Sequence, residues 1–172
     1  HGSDAPDTAA EELRFFFSDP SLGRCELLSG TTLCVIKPHT VMAGLAGLVL
    51  DVISDSFDVT ALRQLTLSKP EATEFLEVYK GVLPLGEFNA AVDEFTSGPC
   101  IAVEVASRDG SSVLEPFRDL CGPPDPELAR VLRPKSLRAQ FGLSKTRNAV
   151  HCTDLESDAR IEVEYFFVLL LQ

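Results

Sequence analysis

The chain has 172 residues and a formal net charge of -11, with 45% hydrophobic and 24% charged residues. This balance is typical of a globular domain with a sizeable core and excludes an intrinsically disordered chain. The acidic charge argues against a nucleic-acid partner, and no apolar run reaches the ~18 residues that would indicate a membrane partner.

The beginning and the end of the chain share one pattern. Residues 1–17, "HGSDAPDTAAEELRFFF", align without a gap on residues 151–167, "HCTDLESDARIEVEYFF". His1 then matches His151, and Glu12 matches Glu162. An expression-tag remnant could explain "HGS" but not the rest of the pattern. We therefore interpret residues 1–17 as the C-terminal tail of an upstream domain, residues 18–31 as a linker and residues 32–172 as a second copy.

Between the two copies of the pattern, strands and helices alternate. Residues 4–17 are predicted to be helical, and "TTLCVIKP" is predicted to be a buried strand. The later elements are predicted as follows: a helix over 40–56, a strand "DVTALRQLTL", helices "KPEATEFLEVYKG" and "LGEFNAAVDEFTSG", a strand "PCIAVEVA", a helix "SSVLEPFRDLCG", a long basic loop, a strand "NAVHC" and a helix from Asp154. The order βαββαβ with a terminal helix predicts an α+β, ferredoxin-like fold.

The cations are concentrated in one segment. Residues 130–147, "RVLRPKSLRAQFGLSKTR", hold six of the fifteen Lys and Arg residues and no acid, and they lead to His151. This segment is either a local phosphate-binding site or a solvated basic face.

The five cysteines form no C-x-x-C pair, so they predict neither a zinc site nor a disulfide framework, and a reducing intracellular compartment is the default.

Four motifs in this order resemble the nucleoside diphosphate kinase family over about residues 32–167: "VIKPHTV", "SGPCIAVEV", "FRDLCGPPDPELARVLRPKSLRAQFG" and "NAVHCTD". Together with "EVYKGVLPL" and the upstream tail, they are most similar to the second domain of the tandem nucleoside diphosphate kinase 7 group. The resemblance implies phosphate transfer between nucleotides through a histidine. A neutral imidazole can attack phosphorus without a separate base.

The resemblance also implies the site residues. His151 would be the nucleophile, with Glu162 holding its ring and Thr153 in place of the usual serine. The nucleotide would be bound by Lys37, Arg118, Arg138, Asn148 and Leu76. Magnesium would arrive on the phosphates of the nucleoside triphosphate, because the sequence offers no carboxylate cage.

Several positions depart from the family pattern. The aromatic pair that clamps the base falls at Leu76 and Glu87, a phosphate-binding threonine falls at Pro124, and His39 replaces the usual acid. Each lost contact would cost roughly 1–3 kcal/mol of nucleotide binding if it is buried.

Two functions therefore stay open. The first is a phosphotransferase, slow because of its altered pocket. The second is a catalytically silent structural module, either a microtubule inner protein, bound on the lumenal side of the microtubule wall, or a partner of the γ-tubulin complex. The resemblance implies tubulin, axonemal or γ-tubulin-complex partners, and a location in the cytoplasm at a cilium, flagellum or centrosome.

We also expect residues 1–17 to pack against the second domain or another chain, as in a pseudo-symmetric pair of kinase domains.

Overall fold

The computed structural model describes residues 2–17 and 28–171. The predicted α+β, ferredoxin-like fold is confirmed. The described residues contain these strands: β1 (Thr32–Ile36), β2 (Asp58–Leu65), β3 (Cys100–Ala106) and β4 (Val150–Cys152). They also contain these helices: α1 (Pro6–Phe17), α2 (Pro38–Met42), α3 (Ala46–Ser54), α4 (Lys69–Phe75), α5 (Leu85–Phe95), α6 (Leu114–Cys121), α7 (Pro126–Leu132), α8 (Leu137–Phe141) and α9 (Glu156–Phe167). Short 3-10 turns lie at Glu77–Tyr79 and Leu169–Leu171.

The strands form one antiparallel sheet in the order β2-β3-β1-β4. In the register of β1 and β4, Val35 lies opposite His151. This arrangement places the end of β1, which leads into "KPH", beside the histidine of β4.

Each face of the sheet carries its own hydrophobic cluster. Phe166 of α9 is fully buried in one cluster, with side chains from α4 and α5, and Phe117 of α6 is fully buried in the other, with side chains from α3. Burying one phenylalanine side chain is worth about 1.5–3 kcal/mol. The two clusters hold α9 and α6, and therefore the side chains that these helices carry, in fixed positions against the sheet.

Two sequence-based predictions were wrong in detail. The single helix expected over residues 40–56 is two helices, α2 and α3, because the chain turns at Gly44 with φ 73°. The expected long basic loop contains α7 and α8. The Asp125 and Ser136 side chains cap them by accepting from the backbone of Glu127 and Ala139, and Pro126 starts α7.

The predicted N-terminal helix is present as α1, with Leu13 59% and Phe15 77% exposed. Its packing against the second domain or another chain stays a prediction. His1 and most of the predicted linker lie outside the described residues. Within the described ranges, no helix has both the length and the apolar character that crossing a membrane requires.

Candidate active site

His151 lies on β4 with one ring nitrogen held by an acid. Its Nε2 is 3.0 Å from Glu162 Oε2, and Thr153 Oγ1 donates to the same oxygen at 2.8 Å. Glu162 is on α9, whose packing against the sheet aims the carboxylate at β4. Among the described residues no hydrogen bond reaches His151 Nδ1, so the second ring nitrogen is available for chemistry.

Aromatic side chains surround the imidazole ring of His151. The ring centroid of Phe75 lies 4.9 Å away, and those of Phe95 and Tyr79 each lie 6.4 Å away, all in edge-to-face arrangements. These rings limit the rotation of the imidazole, and the hydrogen bond between Nε2 and Glu162 sets its orientation.

The backbone immediately before β4 is strained. Ala149 has φ 72°, a left-handed conformation that costs a residue with a Cβ on the order of 1 kcal/mol or more. Its carbonyl accepts from the backbone N–H of Lys37 at 2.9 Å and from Thr40 Oγ1 at 3.3 Å. The strain is therefore maintained by contacts from the "KPHT" segment, which also carries a predicted phosphate ligand.

Lys37 is buried beside the histidine strand. Its Nζ donates to the carbonyl of Thr146 at 3.0 Å and lies 5.4 Å from the ring centroid of Phe95. Burial, reinforced by the nearby charge of Arg138, lowers the pKa of Lys37 to about 7. Among the residues that the structure describes, no carboxylate forms a direct ion pair with Lys37 Nζ, so an arriving phosphate would supply that anion.

Arg138 is also buried, and it ties α6 to β4. Its guanidinium donates to the carbonyl of Gly122 at 2.7 Å, to that of Val150 at 3.2 Å, and to the Cys152 sulfur at 3.6 Å. Burial opposes its charge, but the nearby Cys152, Cys121 and Cys34 sulfurs and the Asp154 carboxylate together outweigh that effect, and the pKa of Arg138 is raised. Arg138 is thus a fixed positive charge behind His151.

Arg118, near the end of α6, is half-exposed on the same side. Its Nη1 donates to the carbonyl of Asp154, and its Nη2 lies 3.6 Å from Asp154 Oδ1. The other carboxylate oxygen of Asp154 accepts from the Tyr79 hydroxyl at 2.6 Å. Arg118, Asp154 and Tyr79 therefore form a connected rim beside His151.

Asn148 completes the set of predicted polar residues. Its Nδ2 donates to the carbonyl of Pro124 at 3.0 Å, while its Oδ1 is buried without a hydrogen-bond partner among the described residues. An unpaired buried oxygen costs about 1–3 kcal/mol, so a ligand hydroxyl at this position would recover that energy.

Leu76, the remaining predicted nucleotide contact, is part of the hydrophobic core. Its side chain is 4% exposed and packs into the core under α4, and Phe88 is buried in the same cluster. Glu87 is exposed on α5. The 3-10 turn after α4 directs Tyr79, not Leu76, toward His151.

Three residues of the site were not identified from the sequence: Tyr79, Asp154 and Glu94. Asp154 belongs to the "HCTD" motif and could have been found there. Glu94 is buried on α5; its Oε1 lies 2.6 Å from His39 Nδ1 and its Oε2 accepts from Arg147 Nε at 3.2 Å. His39, the departure noted in "IKPH", therefore has its own acidic partner.

The described part of the chain contains no group of three or more His, Cys, Asp or Glu side chains able to hold a metal ion. The cluster around His151 is instead rich in cations, with Lys37, Arg118 and Arg138. Its chemistry suits a polyanion that brings its own counterion.

Comparison with known proteins identifies the family. The family model described as nucleoside diphosphate kinase matches residues 30–169. The chain is 45% identical over 176 aligned residues to rat "Nucleoside diphosphate kinase homolog 7", covering 99% of this chain and 43% of that protein. The chain thus spans less than half the length of this relative.

Smaller relatives are matched over nearly their whole length. A nucleoside diphosphate kinase of Aquifex aeolicus is 34% identical over 137 residues, covering 79% of this chain and 92% of that protein. A crystal structure of the Aquifex aeolicus nucleoside diphosphate kinase superposes with a TM-score of 0.72 at 33% identity, over 81% of this chain and 96% of that one. With this fold, this alignment and this histidine cluster, the chain belongs to the nucleoside diphosphate kinase family.

Proposed function

We propose that this chain transfers a phosphoryl group from a nucleoside triphosphate to a nucleoside diphosphate through a phosphohistidine at Nδ1 of His151. The observation that carries the proposal is the 3.0 Å contact between His151 Nε2 and Glu162 Oε2. With the proton held on Nε2 by the carboxylate, the lone pair lies on Nδ1, the nitrogen that no described residue occupies.

The transfer divides into two in-line displacements. In the first, the Nδ1 lone pair forms a bond to the γ-phosphorus, and the bond from that phosphorus to the bridging oxygen breaks. The leaving diphosphate takes the electron pair of the broken bond. In the second, a terminal oxygen of another nucleoside diphosphate attacks the phosphohistidine, and the electron pair of the P–N bond returns to Nδ1.

The cations stabilise charge along this path. Lys37 contacts the segment before the histidine strand and Arg118 contacts the segment after it, and both can bind the oxygens of the transferring phosphate. The buried charge of Arg138 adds a fixed positive potential. Glu162 offsets the positive charge that the imidazole gains on phosphorylation. Magnesium enters with the nucleotide as part of the substrate.

A radiolabel experiment tests the transfer. The chain is incubated with magnesium and γ-labelled ATP, and an acid-labile, base-stable label is expected on the peptide that contains His151. His151→Gln removes this label, whereas His1→Gln, which changes the matching residue of the upstream pattern, leaves it in place. If the peptide that contains position 151 is still labelled in the His151→Gln variant, the proposal is contradicted.

The second candidate is an assembly role within a longer tandem protein at a cilium, axoneme or centrosome, with tubulin or another axonemal protein as partner. The chain covers only 43% of rat homolog 7, and a protein of that length has room for a second domain. The exposed apolar side chains of α7 favour a protein contact: Leu128, Val131 and Leu132 are all at least 48% exposed and lie on one face of the helix.

Microtubule co-sedimentation tests the second candidate. The chain is added either before or after tubulin assembles, because a lumenal site is reached more readily during assembly. We expect more co-sedimentation when the chain is present during assembly, and less with Val131→Glu. Leu48→Glu, an equally polar change at an exposed position of α3, is the matched control. Equal sedimentation by the chain and by Val131→Glu contradicts a role for α7.

A further inference from the structure

The Asp154 carboxylate is shared between two side chains of the site. Its Oδ2 accepts from the Tyr79 hydroxyl at 2.6 Å, while its Oδ1 lies 3.6 Å from Arg118 Nη2, beyond a good hydrogen bond. The closer contact of Arg118 is made to the Asp154 backbone carbonyl. The carboxylate thus commits its best hydrogen bond to Tyr79.

Tyr79 is suited to hold that carboxylate. Its ring packs edge-to-face with His151, and the 3-10 turn Glu77–Tyr79 fixes its backbone. Burial, and then the hydrogen bond to Asp154, raise the pKa of the Tyr79 hydroxyl, so the hydroxyl stays protonated and acts as a donor.

Without this hydroxyl, the nearest strong donor to Asp154 Oδ2 would be Arg118. A carboxylate and a guanidinium can form two parallel hydrogen bonds, an arrangement much stronger than the single 3.6 Å approach in this structure. Such a pair would use the same guanidinium edge that a phosphate needs.

We propose that Tyr79 is a positioning residue that keeps the Arg118 guanidinium available for nucleotide phosphate by holding the Asp154 carboxylate away from it. This inference rests on the proposed function for its biological meaning, but the Tyr79–Asp154–Arg118 relationship can be measured without any transfer.

The ligand-free test follows the reaction of Arg118 with phenylglyoxal by peptide mass spectrometry. Tyr79→Phe removes only the hydroxyl, and the reaction at Arg118 is expected to slow roughly 3- to 10-fold, as for an ion pair worth about 1 kcal/mol. On an Asp154→Asn background, the same Tyr79→Phe change is expected to have no effect, because no carboxylate remains to pair with Arg118.

The matched control is Tyr165→Phe. The Tyr165 hydroxyl donates to the Glu71 carbonyl, away from Asp154, so its loss is expected to leave Arg118 reactivity unchanged. Equal Arg118 reactivity in the wild type and Tyr79→Phe overturns the proposal. So does slowing that persists on the Asp154→Asn background, which would indicate a general structural effect.

A kinetic readout connects the relationship to function. Tyr79→Phe is expected to lower kcat/KM for ADP by a similar 3- to 10-fold, since an Arg118 guanidinium paired with Asp154 no longer binds the phosphate, and the Asp154→Asn background is expected to abolish this loss. Equal kcat/KM in the wild type and Tyr79→Phe, or a loss that persists on the Asp154→Asn background, overturns the proposal. If the wild-type chain never labels His151, the proposed function fails, whereas phenylglyoxal reactivity still decides the role of Tyr79.

Discussion

The Glu94 carboxylate binds both the side chain and the backbone of His39: Oε1 accepts from His39 N at 3.1 Å and lies 2.6 Å from Nδ1. Its other oxygen accepts from Arg147. One buried acid therefore joins the segment after Lys37 to the segment that precedes Asn148. This link fixes the segment that carries Lys37 relative to the segment that carries Asn148, and both residues are predicted to bind the nucleotide.

Replacing this acid is expected to destabilise the fold. Glu94→Gln removes the buried charge and leaves its two partners poorly paired, at a cost of about 3 kcal/mol in the free energy of unfolding at pH 7. Chemical denaturation measures the difference, with the exposed Glu87→Gln as the control. Equal midpoints for Glu94→Gln and the wild type contradict this role.

The same carboxylate makes a pH-dependent contribution. Burial acts to raise the pKa of Glu94, but the interactions with His39 and the nearby charge of Arg147 together outweigh it, and the pKa is lowered. A lowered pKa stabilises the fold above the carboxyl's unfolded value near 4.3, and this stabilisation is lost as the pH falls through the folded value. The stability gap between the wild type and Glu94→Gln is therefore expected to narrow below about pH 4.

Nucleotide binding is expected to take up protons through Lys37. Its pKa of about 7 means that most of these side chains are neutral at pH 8, and a bound phosphate raises that pKa. Calorimetry of ADP binding at pH 8, in buffers of different ionisation enthalpy, should show uptake approaching about one proton per site. Lys37→Met should abolish the uptake. Equal uptake in that variant would assign the proton to another group.

Gly122 ends α6 where only glycine fits. It has φ 79°, and a Cβ at this position would overlap Ser136 Oγ and approach Ser136 Cβ to 2.6 Å. Its carbonyl also accepts from Arg138. Gly122→Ala is expected to cost roughly 3 kcal/mol, combining left-handed strain and overpacking.

Gly110 is the matched control for this substitution. It has φ 74° but no atom within 4 Å of an added Cβ, so Gly110→Ala is expected to cost only about 1 kcal/mol. Thermal or denaturant unfolding measures both. Equal losses in the two variants would show that crowding against Ser136 contributes nothing.

The proton-holding role of Glu162 can be separated from its packing. Glu162→Gln keeps the size of the side chain but removes the charge that faces His151 Nε2. We expect phosphohistidine formation to slow on the order of 10²-fold, with unfolding free energy changed by less than about 1 kcal/mol, since the acid stabilises imidazolium charge in the transition state. A stability loss without a rate loss would contradict this role.

The sequence predicted the sheet because its strands depend on short patterns, and the family motifs supplied the residues expected around His151. "TTLCVIKP" and "NAVHC" are apolar runs with clear ends. Lys37, Arg118 and Arg138 each lie within one of the family motifs, so their expected positions could be read from the sequence. The relationship of His39, Glu94 and Arg147 could not be predicted, because it joins three segments that meet only in the folded chain. The surroundings of Leu76 could not be predicted either. The 3-10 turn after α4 leaves Leu76 in the core and brings the Tyr79 ring against His151.

The most direct test of the proposed transfer identifies the nitrogen of His151 that carries phosphate. The chain is phosphorylated with magnesium and ATP, unfolded in alkali to preserve the P–N bond, and examined by ³¹P NMR against authentic Nδ1- and Nε2-phosphohistidine standards. Because Glu162 holds Nε2 at 3.0 Å, we predict one phosphohistidine signal, at Nδ1, which His151→Gln removes. A signal at Nε2, or a signal that persists in His151→Gln, would contradict it.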